Sequence, residues 1–488
     1  MKKQIKYILA LSLVLTSTVS CKKDFLTPVP QTTISDATAF DTPERMLAAI
    51  RAMYSNLKSG NFYGGRYIVY GDIRGEDFIN ETSNLVTGAD VWSLNPTGTS
   101  QNSVKNLWAQ AYFTINLCNI AIEGVTAKGP TVVGATLTNN YLGEARLIRA
   151  LCYYSLLQFY ARPFADGNGS MPGLPLRLTA IKGPGFSDLA RSTVAQTYAQ
   201  IIADLNFAET NLPLTNATAE LNTTRAHRNT AIALKTRVYL SMGNYANVIT
   251  EANKIVAQNV APFSATSGVL HALQPSISTV FLTTYNTTES ILSMPMTSAA
   301  GDNPGTQNQL GFYFVRNGGV LGSAEYSLNP SGIIADAGWG AADVRKTSLI
   351  FTNGSGKKFL NKYQLPSPYL DYPPIIRYSE VLLNLAEALA RTNAGVDARG
   401  LALVNAVRQR SDPSWTIVAG TQAQLIAAIM LERRIEFLGE GLRNNDLMRL
   451  LQTIPAKGSV AAKLPSDQGY IWPISSDEMS LNHLMIDN

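Results

Sequence analysis

Alternating acidic and basic residues near the C-terminus form the densest group of chemically capable side chains in the sequence. Glu432, Glu436 and Glu440 recur every four residues, a spacing that places them on one face of a helix. Paired carboxylates act as acid and base in glycoside hydrolysis. Here Arg433 and Arg434 are interleaved with the acids, and an ion-paired carboxylate stays ionised, the wrong state for a general acid. The pattern therefore predicts a structural salt-bridge lattice packed under neighbouring helices.

A second group combines aromatic and polar residues in segments without helical periodicity. Residues 62–74 are rich in Phe, Tyr, Gly, Asp and Arg, and Trp92 follows in a stretch of small polar residues. Sugar rings stack their apolar faces on aromatic rings, and their hydroxyls bond to Asp, Asn and Arg. Such segments have the chemistry of a carbohydrate surface. The alternative, that each ring fills a small core under its own loop, is an equal expectation.

Other kinds of site have little support in the sequence. The three histidines, His227, His271 and His483, are widely spaced, so we expect no His-based metal site, and no cofactor is predicted. Phosphate-loop, dinucleotide, zinc-protease and nucleophile-elbow motifs are absent. A glycosidase needs only two carboxylates, so missing motifs do not exclude that class. The formal charge of +5 includes three lysines within the first 20 residues, and the nearly neutral remainder argues against nucleic-acid binding.

Helical periodicity sets the scaffold on which these groups lie. Apolar residues recur at three- and four-residue spacing in several segments. The segments Thr230 to Met242 and Ala246 to Gln258, joined by Gly243-Asn244-Tyr245, are typical of a tetratricopeptide-type hairpin. Cys118 and Cys152 lie inside apolar helical patterns and are interpreted as buried free thiols, although an oxidising compartment would permit a disulfide between them. The predicted helices cover residues 41–59, 104–125, 141–160, 193–212, 230–242, 246–258, 375–391, 397–410 and 421–438.

The segment between residues 262 and 374 differs from the helical parts. Gly, Pro, Asn, Ser and Thr dominate it, and residues 290–296 and 311–315 are interpreted as isolated strands. Aromatic residues such as Tyr313 and Trp339 argue against disorder. Long irregular segments in compact proteins are usually functional when they are ordered, so we expect functional loops here.

The N-terminus has the order of a secretory signal: a basic start, the uncharged apolar run 8–19, and small residues. That run is shorter than the roughly 20 residues that span a bilayer. The final Thr18-Val19-Ser20-Cys21 resembles a lipobox, although Thr18 stands where Leu is usual. This resemblance implies cleavage before Cys21 and acylation of its thiol. Lys22-Lys23-Asp24 resembles the charged tag that directs lipoproteins to the cell surface.

Six motifs, in the expected order over nearly the whole mature chain, resemble the SusD/RagB family. Each is weak alone, and their order and spacing carry the resemblance. They are Trp108-x3-Tyr112-x2-Ile115-x3-Asn119, residues 144–150 (Glu-Ala-Arg-Leu-Ile-Arg-Ala), residues 377–388 beginning Arg-Tyr-Ser-Glu, residues 405–410 (Asn-Ala-Val-Arg-Gln-Arg), residues 432–447 from Glu-Arg-Arg-Ile-Glu-Phe to Asp-Leu, and Trp472-Pro473-Ile474 with Glu478 and Asn482.

The resemblance implies a mostly α fold: a tetratricopeptide-like helical-repeat scaffold with long irregular loop insertions and minor β structure. We divide the chain into a lipoprotein signal peptide (1–20), an N-terminal helical part (21–260) and a loop-rich C-terminal part (261–488), the latter two packed as one unit. The implied function is a non-catalytic, lipid-anchored outer-membrane receptor, exposed at the cell surface. It would capture oligosaccharides and deliver them to a SusC-like TonB-dependent transporter.

The resemblance also implies a glycan site with aromatic platforms in the irregular segments. We assign it to Trp92, with Asp72 and Arg74 as polar partners, and to Tyr313 and Trp339 from the C-terminal insertion. Two alternatives stay open: a peptide receptor in the same uptake role, and an adaptor that binds only a protein partner.

The lipid anchor yields a direct test. We expect Cys21→Ser to abolish metabolic labelling with radioactive palmitate and to release the protein from membranes, because the acylated thiol is then missing. Substitution of a buried cysteine, Cys118→Ser, is the control and leaves labelling intact. Unchanged labelling of Cys21→Ser contradicts the anchor.

Overall fold

A computed structural model describes residues 38–183, 185, 187–281, 285–305 and 307–488; the predicted signal peptide and Cys21 lie outside these ranges. The N-terminal part is mostly helical, as predicted. None of the helices in the described ranges combines the length and apolar character needed to cross a membrane. The N-terminal helices are α1 (Pro43–Leu57), α2 (Arg66–Ile73), α3 (Ala89–Trp92), α4 (Asn106–Val132), α5 (Ala135–Tyr160), α6 (Val194–Asn211), α7 (Ala219–Thr224), α8 (Arg228–Ser241) and α9 (Tyr245–Ala252).

Local capping explains where several of these helices begin. Thr42 accepts a hydrogen bond from the backbone N–H of Arg45, and Pro43 occupies the first turn of α1. Thr193 and Gln196 form a reciprocal capping box at the start of α6. Asn244 caps α9 after a tight turn, so α8 and α9 form the predicted tetratricopeptide-like hairpin, with α9 ending at Ala252 rather than at residue 258.

The irregular segment contains short strands and helices, in agreement with the predicted minor β structure. The helices are α10 (Ile277–Phe281), α11 (Leu310–Phe314) and α12 (Val344–Thr347). The strands are β1 (Phe78–Asn80), β2 (Ser290–Ser293), β3 (Arg316–Asn317), β4 (Val320–Leu321), β5 (Tyr326–Leu328), β6 (Ile350–Thr352), β7 (Lys358–Leu360) and β8 (Pro374–Arg377). The strands form four antiparallel pairs: β1 with β5, β2 with β8, β3 with β4, and β6 with β7.

Helices resume after β8, close to the predicted positions. They are α13 (Tyr378–Thr392), α14 (Ala398–Ser411), α15 (Gln422–Glu436), α16 (Arg443–Arg449) and α17 (Ser476–Leu481). Helix α13 packs between the α8–α9 hairpin and α14, so helical pairs from both parts of the chain form one stack. One continuous hydrophobic core contains residues from α1, α5, α8, α13 and α15. In addition, β1 pairs with β5 over Phe78↔Leu328, which joins the two parts by backbone hydrogen bonds.

Two segments differ from the sequence-based expectation. Residues 66–73, expected to be irregular, form helix α2, and all eight of its residues are buried. A helix buried on every side has no polar face, so the amphipathic period is missing from its sequence. Gly71 allows the close approach, because a Cβ there would lie 2.2 Å from the carbonyl oxygen of Gly441. Residues 311–315, expected to be a strand, lie mostly within the buried helix α11.

A buried ion-pair network surrounds the C-terminal half of α15 and confirms that Glu432, Glu436 and Glu440 are ion-paired. Their partners are basic residues from other segments, whereas Arg433 and Arg434 pair with other acids, and Glu440 lies beyond the end of the helix. Glu436 accepts from Arg345 at 2.9 Å, from Arg377 at 3.0 Å and from Arg410 at 2.5 Å. Burial works to raise the pKa of Glu436, but the charges of Arg410 and Arg377 outweigh it and hold that pKa well below its ordinary value. The carboxylate therefore stays ionised. Among the described residues, the network joins five basic and five acidic side chains, each at most 5% exposed: Arg345, Lys362, Arg377, Arg408, Arg410, Glu289, Asp343, Glu432, Glu436 and Glu440.

Removing one charge from this network should destabilise the fold. Glu436→Gln leaves three arginines with one carboxylate fewer in the interior, so we expect the free energy of unfolding in urea to fall by about 3–5 kcal/mol. The control is Glu123→Gln, in which the carboxylate forms an exposed ion pair with Lys182 at 2.8 Å. Its loss should stay below about 1 kcal/mol. Equal losses in the two variants would show that the network adds no more than a surface pair.

Candidate functional site

An open groove of about 1130 Å³ lies where turns from distant parts of the chain meet. Ile79 of β1 lies on its floor, and Arg434 of α15 reaches its wall. Its size suits a small oligosaccharide, since ligand pockets in proteins commonly measure roughly 300–1,000 Å³. The residues that line the groove are Glu76, Ile79, Glu81, 327–331 (Ser-Leu-Asn-Pro-Ser), Ile334, 355–358 (Ser-Gly-Lys-Lys), Arg434 and 455–458 (Pro-Ala-Lys-Gly).

Two carboxylates line the groove, and both are paired. Glu81 accepts hydrogen bonds from Lys357 and from the Ser327 hydroxyl. Glu76 pairs with Arg434 at 3.0 Å and with Arg443 at 2.5 Å. Burial works to raise the pKa of Glu76, but the charges of Arg443 and Arg434 outweigh it and lower that pKa. Neither carboxylate is therefore arranged as a proton donor.

Basic groups outnumber acidic ones along the groove. Lys358 is exposed and donates to the Thr352 hydroxyl at 3.2 Å, with no ion pair to a described residue. Lys457 is buried and donates to the backbone carbonyls of Ile73, Arg74 and Gly75. Burial lowers the pKa of Lys457 well below its ordinary value, and the charge of Arg74 lowers it further. Through these three hydrogen bonds, Lys457 holds the segment 455–458, which lines the groove, against residues 73–75.

Trp92 stands directly behind this wall and is half-buried. Its indole N–H donates to the Phe78 carbonyl at 2.8 Å. Gly458 lies against the edge of the ring: a Cβ added there would lie 3.5 Å from the outer indole carbons, and its φ of +50° also favours glycine. The predicted platform residue therefore lies beside the candidate groove but supports its wall from the inside.

Asp72 and Arg74 are placed differently from the sequence-based assignment, because both are buried with 2% exposure. Asp72 accepts from the Gly441 N–H at 2.8 Å, and burial raises the pKa of its carboxyl to about 8. Arg74 donates to the Asn444 side chain and to the Tyr470 carbonyl, both at 2.6 Å. Their hydrogen-bonding groups connect α2 to the C-terminal part, so they present no ligand surface in this structure.

Tyr313 and Trp339 are also interior residues, 0% and 3% exposed. Tyr313 lies in α11 and stacks on Tyr326 of β5 with ring centroids 6.4 Å apart. Trp339 packs in the core, with the Lys346 ammonium 5.2 Å from its ring centroid. These rings fill the core under their loops, which corrects their assignment as exposed platforms.

No group of three or more potential metal ligands occurs among the described residues. His227 and His271 stack in the interior with centroids 5.2 Å apart, and burial lowers the pKa of their imidazoles to about 3 and about 4. His483 pairs with Asp188 at the surface. Cys118 and Cys152 are buried free thiols, as predicted.

The groove residues were missed because they belong to ordinary surface turns. Asn353-Gly354-Ser355-Gly356 and Asn329-Pro330-Ser331-Gly332 are typical turn sequences, which predict local shape but not what lies opposite. The useful local signal is the adjacent pair Lys357-Lys358 where the turn of the β6–β7 hairpin ends, two exposed cations next to each other in the sequence.

Solved structures of the same fold identify the family. A SusD superfamily protein from Bacteroides fragilis aligns over 92% of this chain and 99% of its own, with 30% identity and a TM-score of 0.80. The chain belongs to the SusD/RagB family. Residues 24–240 match a SusD-like family model described as "starch-binding associating with outer membrane", and residues 357–488 match the SusD family model.

Two further SusD relatives span nearly the whole chain. SusD-like protein P2 of Formosa agariphila is 23% identical over 99% of both chains. The structure of a laminarin-binding SusD-like protein is similar in fold, with a TM-score of 0.69 and 20% identity over 92% of this chain and 99% of its own.

Charged residues of the SusD motifs form buried ion pairs that connect the helices. Arg149 forms a two-bond ion pair with Asp204, at 2.7 and 2.8 Å, and donates to Asn119 at 2.8 Å. Arg433 and Arg449 both pair with Asp446. The motifs therefore stabilise the SusD scaffold, as predicted, while the groove is built from segments outside them, except at Arg434.

The position of Trp92 makes a testable contrast with Trp108. Trp92→Ala should lower stability by about 2–3 kcal/mol and also weaken ligand binding, because Gly458 loses its support. Trp108 is 3% exposed and donates to Glu478 at 3.1 Å, away from the groove. Trp108→Ala should cost about 3–5 kcal/mol but leave the affinity of the folded protein intact. Thermal unfolding and titration calorimetry provide both readouts. Lost affinity without lost stability in Trp92→Ala would show instead that the ring contacts the ligand.

Proposed function

We propose that this protein captures oligosaccharides in the groove at residues 327–331, 355–358 and 455–458, without catalysis, and passes them to a SusC-like TonB-dependent transporter. The observation that carries the proposal is the groove itself. It combines about 1130 Å³ of open volume with hydroxyl, amide and charged groups at its rim. Saccharide hydroxyls need this mixture of donors and acceptors.

The family context supports a glycan as the ligand. One matching family model is described as starch-binding, and one neighbour of the same fold is named for laminarin binding. These names apply to those proteins and do not identify the sugar. Association with the outer membrane through lipidated Cys21 completes the proposal, since a surface receptor must stay beside its transporter.

The state of the carboxylates supports a role without catalysis. Glycoside hydrolysis needs one protonated carboxyl beside the scissile bond. In the groove, Glu76 is held ionised by two arginines and Glu81 is bonded to Lys357. Asp72 has the raised pKa of a general acid, about 8, but it is buried against Gly441 and does not line the groove.

Blocking the groove tests the proposal. Ser331 is exposed at the rim, so Ser331→Trp should fold normally and fill part of the groove. We expect at least about tenfold weaker binding to the best ligand from a panel of glycans and peptides. Ser298→Trp is the control, since Ser298 is also exposed but lies outside the groove. Both substitutions should change stability by less than about 0.5 kcal/mol.

The same panel distinguishes the alternatives. Binding of peptides and not of glycans would favour a peptide receptor in the same uptake role. Binding of neither class would favour an adaptor that recognises only a protein partner. Unchanged glycan binding by Ser331→Trp would place the site elsewhere and contradict the proposal.

A further inference from the structure

One cationic side chain of the groove has no acidic partner. Among the described residues that line it, four are basic and two are acidic. Arg434 and Lys357 already pair with carboxylates, and Lys457 is buried against backbone carbonyls. Lys358 has no carboxylate partner among the described residues. A bound ligand therefore meets one exposed cation whose charge no described carboxylate balances.

The groove also lacks the usual surface for neutral sugars. No aromatic side chain is among the described residues that line it, and Trp92 lies behind Gly458, outside the lining. Stacking on rings is the main apolar contact for uncharged sugar faces. Without it, recognition must rely on polar groups, and charge-assisted hydrogen bonds from lysine are stronger than neutral ones.

We infer that the groove recognises anionic saccharides, whose carboxylate or sulfate groups pair with Lys357 and Lys358 at the tip of the β6–β7 hairpin. This inference rests on the proposed function and names its ligand class. Lys358 donates directly to the anion. Lys357, whose side chain is 52% exposed, can contact the ligand while it stays close to Glu81. The Ser331 and Ser355 hydroxyls, exposed on the same rim, serve the neutral hydroxyls of the sugar.

Two pairs of polymers separate charge from sugar identity. Oligogalacturonate and its methyl ester differ only in carboxylate charge, and dextran sulfate and dextran differ only in sulfate. We expect calorimetry on the mature protein to give about tenfold tighter binding of the charged member of at least one pair. The preference should shrink as NaCl rises from about 50 to about 500 mM, because salt screens exposed charges. The pair that shows the preference identifies carboxylate or sulfate as the anion.

Matched lysine variants locate the attraction. Lys358→Gln and Lys357→Gln should each weaken binding of the charged polymer about two- to fivefold. Lys182→Gln is the control, because Lys182 also forms an exposed ion pair, with a side chain 53% exposed against 52% for Lys357, but lies outside the groove. It removes the same net charge and should leave the affinity unchanged.

Three outcomes would overturn the inference. They are equal binding of charged and neutral members in both pairs, an equal loss of affinity in Lys182→Gln, and no binding of any of the four polymers. The proposed function is judged separately by the glycan panel and Ser331→Trp. A neutral glycan that binds in the groove and is blocked by Ser331→Trp would therefore reject the anionic ligand and keep the receptor.

Discussion

The buried ion-pair network around Glu436 is the constraint on which the rest of the structure depends. Charged groups are costly to bury unless every charge has a partner, and here five bases meet five acids in the described interior. The partners come from α12, β8, α14 and α15, from Glu289, Asp343 and Lys362 within the irregular segment, and from Glu440 in the turn after α15. The balance can be complete only when all of them are in place. The network therefore fixes loops with few regular backbone contacts onto the helical stack.

Helix α15 connects this network to the groove. Glu432 and Glu436 point into the network, whereas Arg434, two residues from each, points to another side and binds Asp77 at 2.5 Å and Glu76 at 3.0 Å. These two acids immediately precede β1, whose Ile79 lies on the groove floor. A helix places alternate residues on different faces, so one rigid element contacts the ion-pair network with one face and the candidate groove with the other.

Helices α1, α6 and α15 were predictable because each shows one face to the core and one to water. Helix α2 was not, since burial on all sides removes that period. Asp72 and Arg74 were misplaced for a related reason: polar residues suggest exposure, but their partners Gly441, Asn444 and Tyr470 lie more than 360 positions away. The order of the family motifs identified the scaffold. Which polar residues are buried in that scaffold depends on hydrogen bonds between residues far apart in sequence, which the motifs do not predict.

The groove was beyond local prediction for the same reason, since its lining comes from segments as far apart in sequence as residues 76–81 and 455–458. Charge nevertheless distinguishes its residues from those of the scaffold. Inside the protein, each arginine or lysine of the network has a carboxylate within 3.0 Å, because removing one partner of a buried ion pair is strongly destabilising. At the groove, Lys358 is exposed and has no such partner among the described residues. Stability does not require a cation there, so Lys358 is free to pair with the anionic ligand that we propose for the groove.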